Sequence, residues 1–138
     1  MAVFFLVLTI ILWGAAPIFD KIGLQNTKSV MTATIFRGLI VGMLILLIGI
    51  FSGKYKELFS MNSKAMLFFS LSGLCAGVLG VFTFYKFLSI SETSKAVPLA
   101  ATYPLVTALL SVAFLGEQLT VVRIAGTLLI VAGVWLVK

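Results

Sequence analysis

Histidine is absent from the sequence, and cysteine occurs once, as Cys75 within an apolar stretch. One thiol cannot close an internal disulfide, and without a His or Cys cluster there is no ligand set for zinc. No nucleophile stands beside a base and no paired carboxylates are visible. The chain is therefore expected not to be an enzyme and to carry no metal or other cofactor. Charge is also scarce: 10% of residues are charged, and only four of them are acidic. Ten Lys and Arg leave a net charge of +6. Nucleic-acid binders gather such charge into a dense exposed stripe. Here it is scattered between apolar runs, so no nucleic-acid partner is expected. The basic residues read instead as loops and helix ends at lipid headgroups, where Lys and Arg snorkel.

What is present is apolar. The chain is 62% hydrophobic with a mean hydropathy of +1.24, which leaves too little polar surface to cover a water-soluble globule of 138 residues. A hydrocarbon core about 30 Å thick takes roughly 20 apolar helical residues. Five such lengths are present, over residues 3–23, 29–51, 65–88, 95–115 and 120–137. The first run is expected to span rather than to act as a cleaved leader, since no basic segment precedes it and four further runs follow. The breaks, such as Gln25-Asn26-Thr27-Lys28 and Gly116-Glu117-Gln118, are rich in capping and turn-forming residues. Gly116 is suited to close the fourth helix in a left-handed conformation, and Glu117 to cap the fifth and pair with Arg123. The connections are too short for a separate soluble domain. The expected fold is a single all-α integral membrane domain over residues 1–138, a bundle of about five transmembrane helices.

Helices in lipid pack through small residues that let backbones approach. Gly38, Gly42 and Gly49 form one such stripe, Gly73, Gly77 and Gly80 another, and Ala125, Gly126, Ala132 and Gly133 a third. Gly126 and Gly133, on the terminal helix, are the best candidates for a dimer interface. The basic residues divide as four on one membrane side (Lys54, Lys56, Lys64, Arg123) and five on the other (Lys21, Lys28, Lys86, Lys95, Lys138), with Arg37 inside a helix. That difference of one leaves two insertions open: one fixed orientation, or both orientations, which would build the frame of an inverted repeat.

An ionisable group inside a span costs a few kcal/mol unless paired or hydrated, which makes each a functional candidate. Arg37 lies roughly 12 Å into the second span at 1.5 Å per residue. It fits either a packing pair with Asp20 or a helix-end carbonyl, or a substrate-lining role. Asp20, Lys21 and Lys86 sit near span ends on one membrane side. Snorkelling accounts for the lysines, although Lys86 together with Arg37 would give a cavity a positive lining suited to anions. Helical spacing aligns Thr9, Trp13, Ala16 and Asp20 on one stripe, and Thr93, Ala96, Ala100, Tyr103, Thr107 and Ser111 on another. Two such stripes of small and weakly polar residues suit a central cavity. Pro98 and Pro104 each remove a backbone N–H and loosen the fourth helix, either as packing kinks or as part of a site. The expected substrate-binding set is Trp13, Arg37, Thr83, Tyr103 and Thr107, with Asp20, Lys86, Pro98 and Pro104 as cavity or gate.

Trp13-Gly14 with Pro17, Arg37, and above all residues 96–133 with Pro104, Leu115-Gly116-Glu117, Gly126 and Gly133 carry a resemblance. The chain resembles the EamA domain of the drug/metabolite transporter superfamily over essentially its whole length. The resemblance implies half of a ten-helix inverted-repeat transporter. Two five-helix domains would enclose a small organic substrate between them and open to each face in turn. One domain is present here, so the resemblance implies a homodimer, or a heterodimer with a related five-helix domain, in the cell (inner) membrane. The four-helix small multidrug resistance relatives couple export to protons through a carboxylate in the first helix, where this sequence has Thr9, Trp13 and Gly14. The runner-up reading is a non-transporting partner subunit of a membrane complex, such as a lipid-linked sugar flippase.

Overall fold

The computed structural model describes residues 1–136. Val137 and Lys138, the end of the last expected span and one of the basic residues in the charge count, lie outside them. Two compact units make up the chain, Met1–Ser89 and Ile90–Lys138. All regular structure among the described residues is helical, and the protein is a multi-pass, all-α integral membrane protein.

In the first unit, α1 (Ala2–Gln25) and α2 (Val30–Phe51) pack against each other, joined by a short turn. Pro17 lies inside α1. It has no N–H to offer the carbonyl four residues back, a loss the rest of the helix tolerates in lipid. Ser29 starts α2, its hydroxyl accepting the Thr32 N–H at 3.4 Å. Gly53, at a φ of 71°, turns the chain after α2, a conformation glycine adopts without steric cost. The short helix α3 (Tyr55–Leu58) follows. Asn62 then caps α4 (Ser63–Ser72) by accepting the Lys64 N–H at 2.8 Å. A π-helical segment over Gly73–Gly80 joins α4 to α5 (Val81–Ile90), so that one continuous 28-residue helix runs from Ser63 to Ile90. The wide π turn needs a close approach at Gly80, where a Cβ would sit 2.7 Å from the Cys75 carbonyl oxygen.

In the second unit the fourth apolar run is interrupted. It forms α6 (Thr93–Ala100) and α7 (Tyr103–Leu115), separated at Ala101 and Thr102. The physical cause is Pro104, which cannot donate to the carbonyl of Ala100 and stands in the first turn of the new helix. Pro98, by contrast, is carried inside α6. Gly116 ends α7 with φ 66° and ψ 22°, the left-handed closure its position suggested. The cap of α8 (Val121–Trp135) differs from expectation. Thr120, not Glu117, begins that helix, its hydroxyl accepting the Arg123 N–H at 3.3 Å. Among the described residues no ion pair joins Glu117 to Arg123. Gln118 and Leu119 separate Glu117 from the cap position, so its carboxylate does not reach the first-turn amides as Thr120 does. Within this unit α8 packs on α6 and α7.

Four helical stretches are long and apolar enough to cross a bilayer: Ala2–Gln25, Val30–Phe51, Ser63–Ile90 and Thr93–Leu115. Val121–Trp135 is apolar but shorter, 15 described residues. Apolar side chains such as Phe4, Ile45, Phe69 and Leu129 are exposed along these helices, whereas the buried apolar residues among the described ones are few: Pro17, Tyr85, Leu88, Ala96 and Val134. This inverts the plan of a soluble domain. It follows from having lipid tails as solvent, because a leucine gains nothing by leaving them.

Candidate functional site

The polar core of the first unit gathers at one end of three helices. Asp20 lies one and a half turns before the end of α1, and Arg37 two turns into α2. The turn between these helices therefore puts both at similar depth. Arg37 Nε stands 3.9 Å from Asp20 Oδ1, with the Arg37 side chain 44% exposed and that of Asp20 17% exposed. The separation is too long for a hydrogen bond but short enough for Coulomb attraction, on the order of 4 kcal/mol at an effective dielectric constant of 20. The open side of Arg37 reduces that figure.

Asp20 is held from a second side. The hydroxyl of Tyr85, buried on α5, donates to Asp20 Oδ1. The next residue, Lys21, donates through Nζ to the carbonyl of Leu88, about one turn beyond Tyr85, at 2.6 Å, tying α1 to α5 a second time. Lys21 is thus more than the snorkelling cation its position near a helix end suggested. A buried tyrosine needs a partner for its hydroxyl, and here that partner is a carboxylate. Substituting Tyr85 by Phe keeps the ring and deletes the donor. It should lower thermal stability in detergent by roughly 1–2 kcal/mol. A variant as stable as the parent would show that the bond holds nothing.

Asp20, Arg37 and Tyr85 line an open groove of about 430 Å³. Phe19, Phe36 and Ile40 give it apolar walls, and Thr27 and Thr32 add hydroxyls. A pocket of this size, mostly apolar with a few convergent polar groups, has the form of a small-molecule site.

The second unit holds its own groove of about 440 Å³ between α7 and α8, lined by Tyr103, Pro104, Thr107, Arg123 and Gly126 among others. Of the stripe expected on the fourth run, Tyr103, Thr107 and Ser111 line this groove, whereas Thr93, Ala96 and Ala100, on the other side of the break at Ala101 and Thr102, do not. The Thr107 and Ser111 hydroxyls donate back to their own helix, to the carbonyls of Tyr103 at 3.3 Å and Ala108 at 3.0 Å.

The remaining expected residues are dispersed. Trp13 is 69% exposed and lines neither groove. Thr83 is exposed, with its hydroxyl on the Leu79 carbonyl at 2.8 Å. Lys86 stands over the Phe82 ring at 5.8 Å from its centroid. Pro98 is half-buried inside α6. Gly126 and Gly133 are exposed, and a Cβ at either would meet open space. Sequence reasoning offered Asp20 as one of the alternative partners for Arg37 and missed Tyr85 as the third member. The available signal was a phenol in an apolar span, which demands a hydrogen-bond acceptor.

Comparison with known proteins agrees with this architecture. The family described as the EamA-like transporter family matches residues 1–138. The chain is similar to a protein of a Sinorhizobium species named "Uncharacterized transporter in cobO 3′region", with 27% identity over 116 residues, 84% of this chain and 81% of that one. It is also similar to an uncharacterized protein of Methanocaldococcus jannaschii, with 28% identity over 132 residues, covering 95% of this chain and 91% of the relative. No solved structure matches it.

Proposed function

This chain belongs to the EamA-like transporter family, a family of transporters rather than enzymes, and from that premise we propose that it moves a small organic metabolite or drug across the inner or plasma membrane. The observation that carries the reading is the ion pair of Asp20 and Arg37 on the wall of an open groove in otherwise lipid-facing helices. A charge at this depth is costly unless paired or hydrated, and a pair this loose, with the Arg37 side chain 44% exposed, leaves room for a solute or a water-filled path.

The working unit on this reading is an antiparallel dimer, either two copies or one copy with a related five-helix domain. The two copies expose a central passage to each face in turn by alternating access. Residues 1–138 act as one transmembrane domain and half of a ten-helix frame. Two features support pairing: the grooves are open rather than enclosed, and the curated relatives are themselves chains of about this size. Arg37, Trp13, Thr83, Tyr103 and Thr107 contact the substrate in this scheme, while Asp20, Lys86, Pro98 and Pro104 shape or gate the passage. Gly126 and Gly133 have the open space a partner helix would fill.

The deciding experiment is solute flux into liposomes that contain the purified protein alone. C-terminal reporters active on opposite membrane sides should accompany it. Flux together with signal on both sides is the expected result. Signal on one side only would remove the homodimer of opposed copies. No flux across a broad panel of metabolites would favour a non-transporting partner subunit instead.

A further inference from the structure

Arg37 carries five N–H donors, yet none makes a hydrogen bond among the described residues. Its only ion-pair partner there, Asp20, lies 3.9 Å from Nε, and the Asp20 oxygen at that distance is already taken by the Tyr85 hydroxyl. The two terminal nitrogens of the guanidinium, the fork that suits a planar oxyanion, have no partner among the described residues. This fork sits about 10 Å into α2, on a groove with Phe19, Phe36 and Ile40 on its walls. At membrane depth an arginine whose donors no protein group satisfies is a strong acceptor-seeking group.

We infer that the first-unit groove binds a monoanionic head on an apolar body, with the head on the outer nitrogens of Arg37 and the body against Phe19, Phe36 and Ile40. Asp20 sets the charge selectivity. It holds Nε by Coulomb attraction and leaves the fork facing outward. It also repels a second negative charge, so that a dicarboxylate or a phosphate monoester dianion is disfavoured against a monoanion. Tyr85 fixes Asp20 in that position and keeps its oxygen from swinging onto the fork. A monoanionic head can come from a soluble carboxylate or from the phosphodiester of an acidic phospholipid. Both present the same charge to the same fork.

The inference deepens the transport reading and rests on it for its purpose, although its chemistry can be tested without flux. Binding of hexanoate, 4-phenylbutyrate and indole-3-acetate to the full chain in a neutral detergent would be measured by calorimetry, each against its isosteric amide. At least one carboxylate should bind about tenfold more tightly than its amide, a difference of about 1.4 kcal/mol. Arg37→Gln should erase the preference, Arg37→Lys should retain part of it, and Lys56→Gln, the same charge change away from the groove, should leave it intact. The lipid arm uses nanodiscs of phosphatidylcholine with or without phosphatidylglycerol. Loss of carboxylate binding in the acidic discs, restored by dilution of the acidic lipid, identifies the phospholipid as a competing occupant. Equal affinity for acid and amide throughout, with no phosphatidylglycerol effect, overturns the inference even if Arg37→Gln fails to fold. Charge-selective binding without flux would sink the transport reading and leave the seat standing. Flux of neutral solutes untouched by Arg37→Gln would do the reverse.

Discussion

Asp20→Ala should be the most damaging single replacement in the first unit, lowering stability in detergent by roughly 2–3 kcal/mol. The carboxylate answers two groups at once, the guanidinium of Arg37 and the hydroxyl of Tyr85. Its removal leaves a buried phenol without an acceptor and a membrane-depth cation without a counter-charge. The full cost of breaking a buried pair is tempered because Arg37 is 44% exposed and can recruit water or an anion from the groove. The informative measurement is a double-mutant cycle with Arg37→Met, followed by thermal unfolding of all four proteins. Once the cation is gone, loss of Asp20 should cost less than it does alone, with a coupling of roughly 1–2 kcal/mol. Strictly additive losses would mean that the 3.9 Å approach carries no energy.

The second large effect is expected at Gly80→Ala. The added methyl, fixed rigidly to its Cα, would lie 2.7 Å from the Cys75 carbonyl oxygen, a main-chain atom, so no flexible side chain can give way. Overpacking of this kind costs roughly 1–3 kcal/mol. The escape is to abandon the wide turn and return to α-helical spacing. That change would rotate everything beyond Gly80 by about 100° per residue of slip relative to α4. Tyr85 and the Leu88 carbonyl lie on the rotated side, so the bonds to Asp20 and Lys21 would go with it. Gly77→Ala is the internal control, because a Cβ there meets nothing within 4 Å. It should be neutral or gain up to about 1 kcal/mol from helix propensity. Equal responses at the two positions would argue that the π segment has no tight point at Gly80.

The site is partly legible in the sequence. Asp20 and Arg37 advertise themselves as charges in apolar runs. A count of helical residues from the turn at Gln25–Thr27 already sets them at one level. Tyr85 was not legible in the same way. It lies 65 residues from Asp20, and its facing depends on the extra residue per turn within Gly73–Gly80, which no apolar period reveals. The interruption at Ala101 and Thr102 follows from Pro104, whereas the sequence alone offered Pro98 as an equal candidate. The cap of α8 shows a similar limit. Glu117 and Thr120 are both plausible helix starters, and only the path of the chain after Gly116 decides for Thr120.

The solvent of this protein is written in its composition. With so few charges and such long apolar runs, lipid is the only medium in which the helices can keep their side chains outward, and the resemblance in residues 96–133 already placed the chain among transporter domains. Tertiary structure decided what the charges do. Whether a carboxylate meets an arginine, a phenol or water is set by the rotation of one helix against another. In a membrane bundle almost every face is apolar enough to face either lipid or protein, so hydrophobic period cannot choose that rotation. The choice falls to a few short-range polar contacts, and those between α1, α2 and α5 turn Asp20 toward both Arg37 and Tyr85.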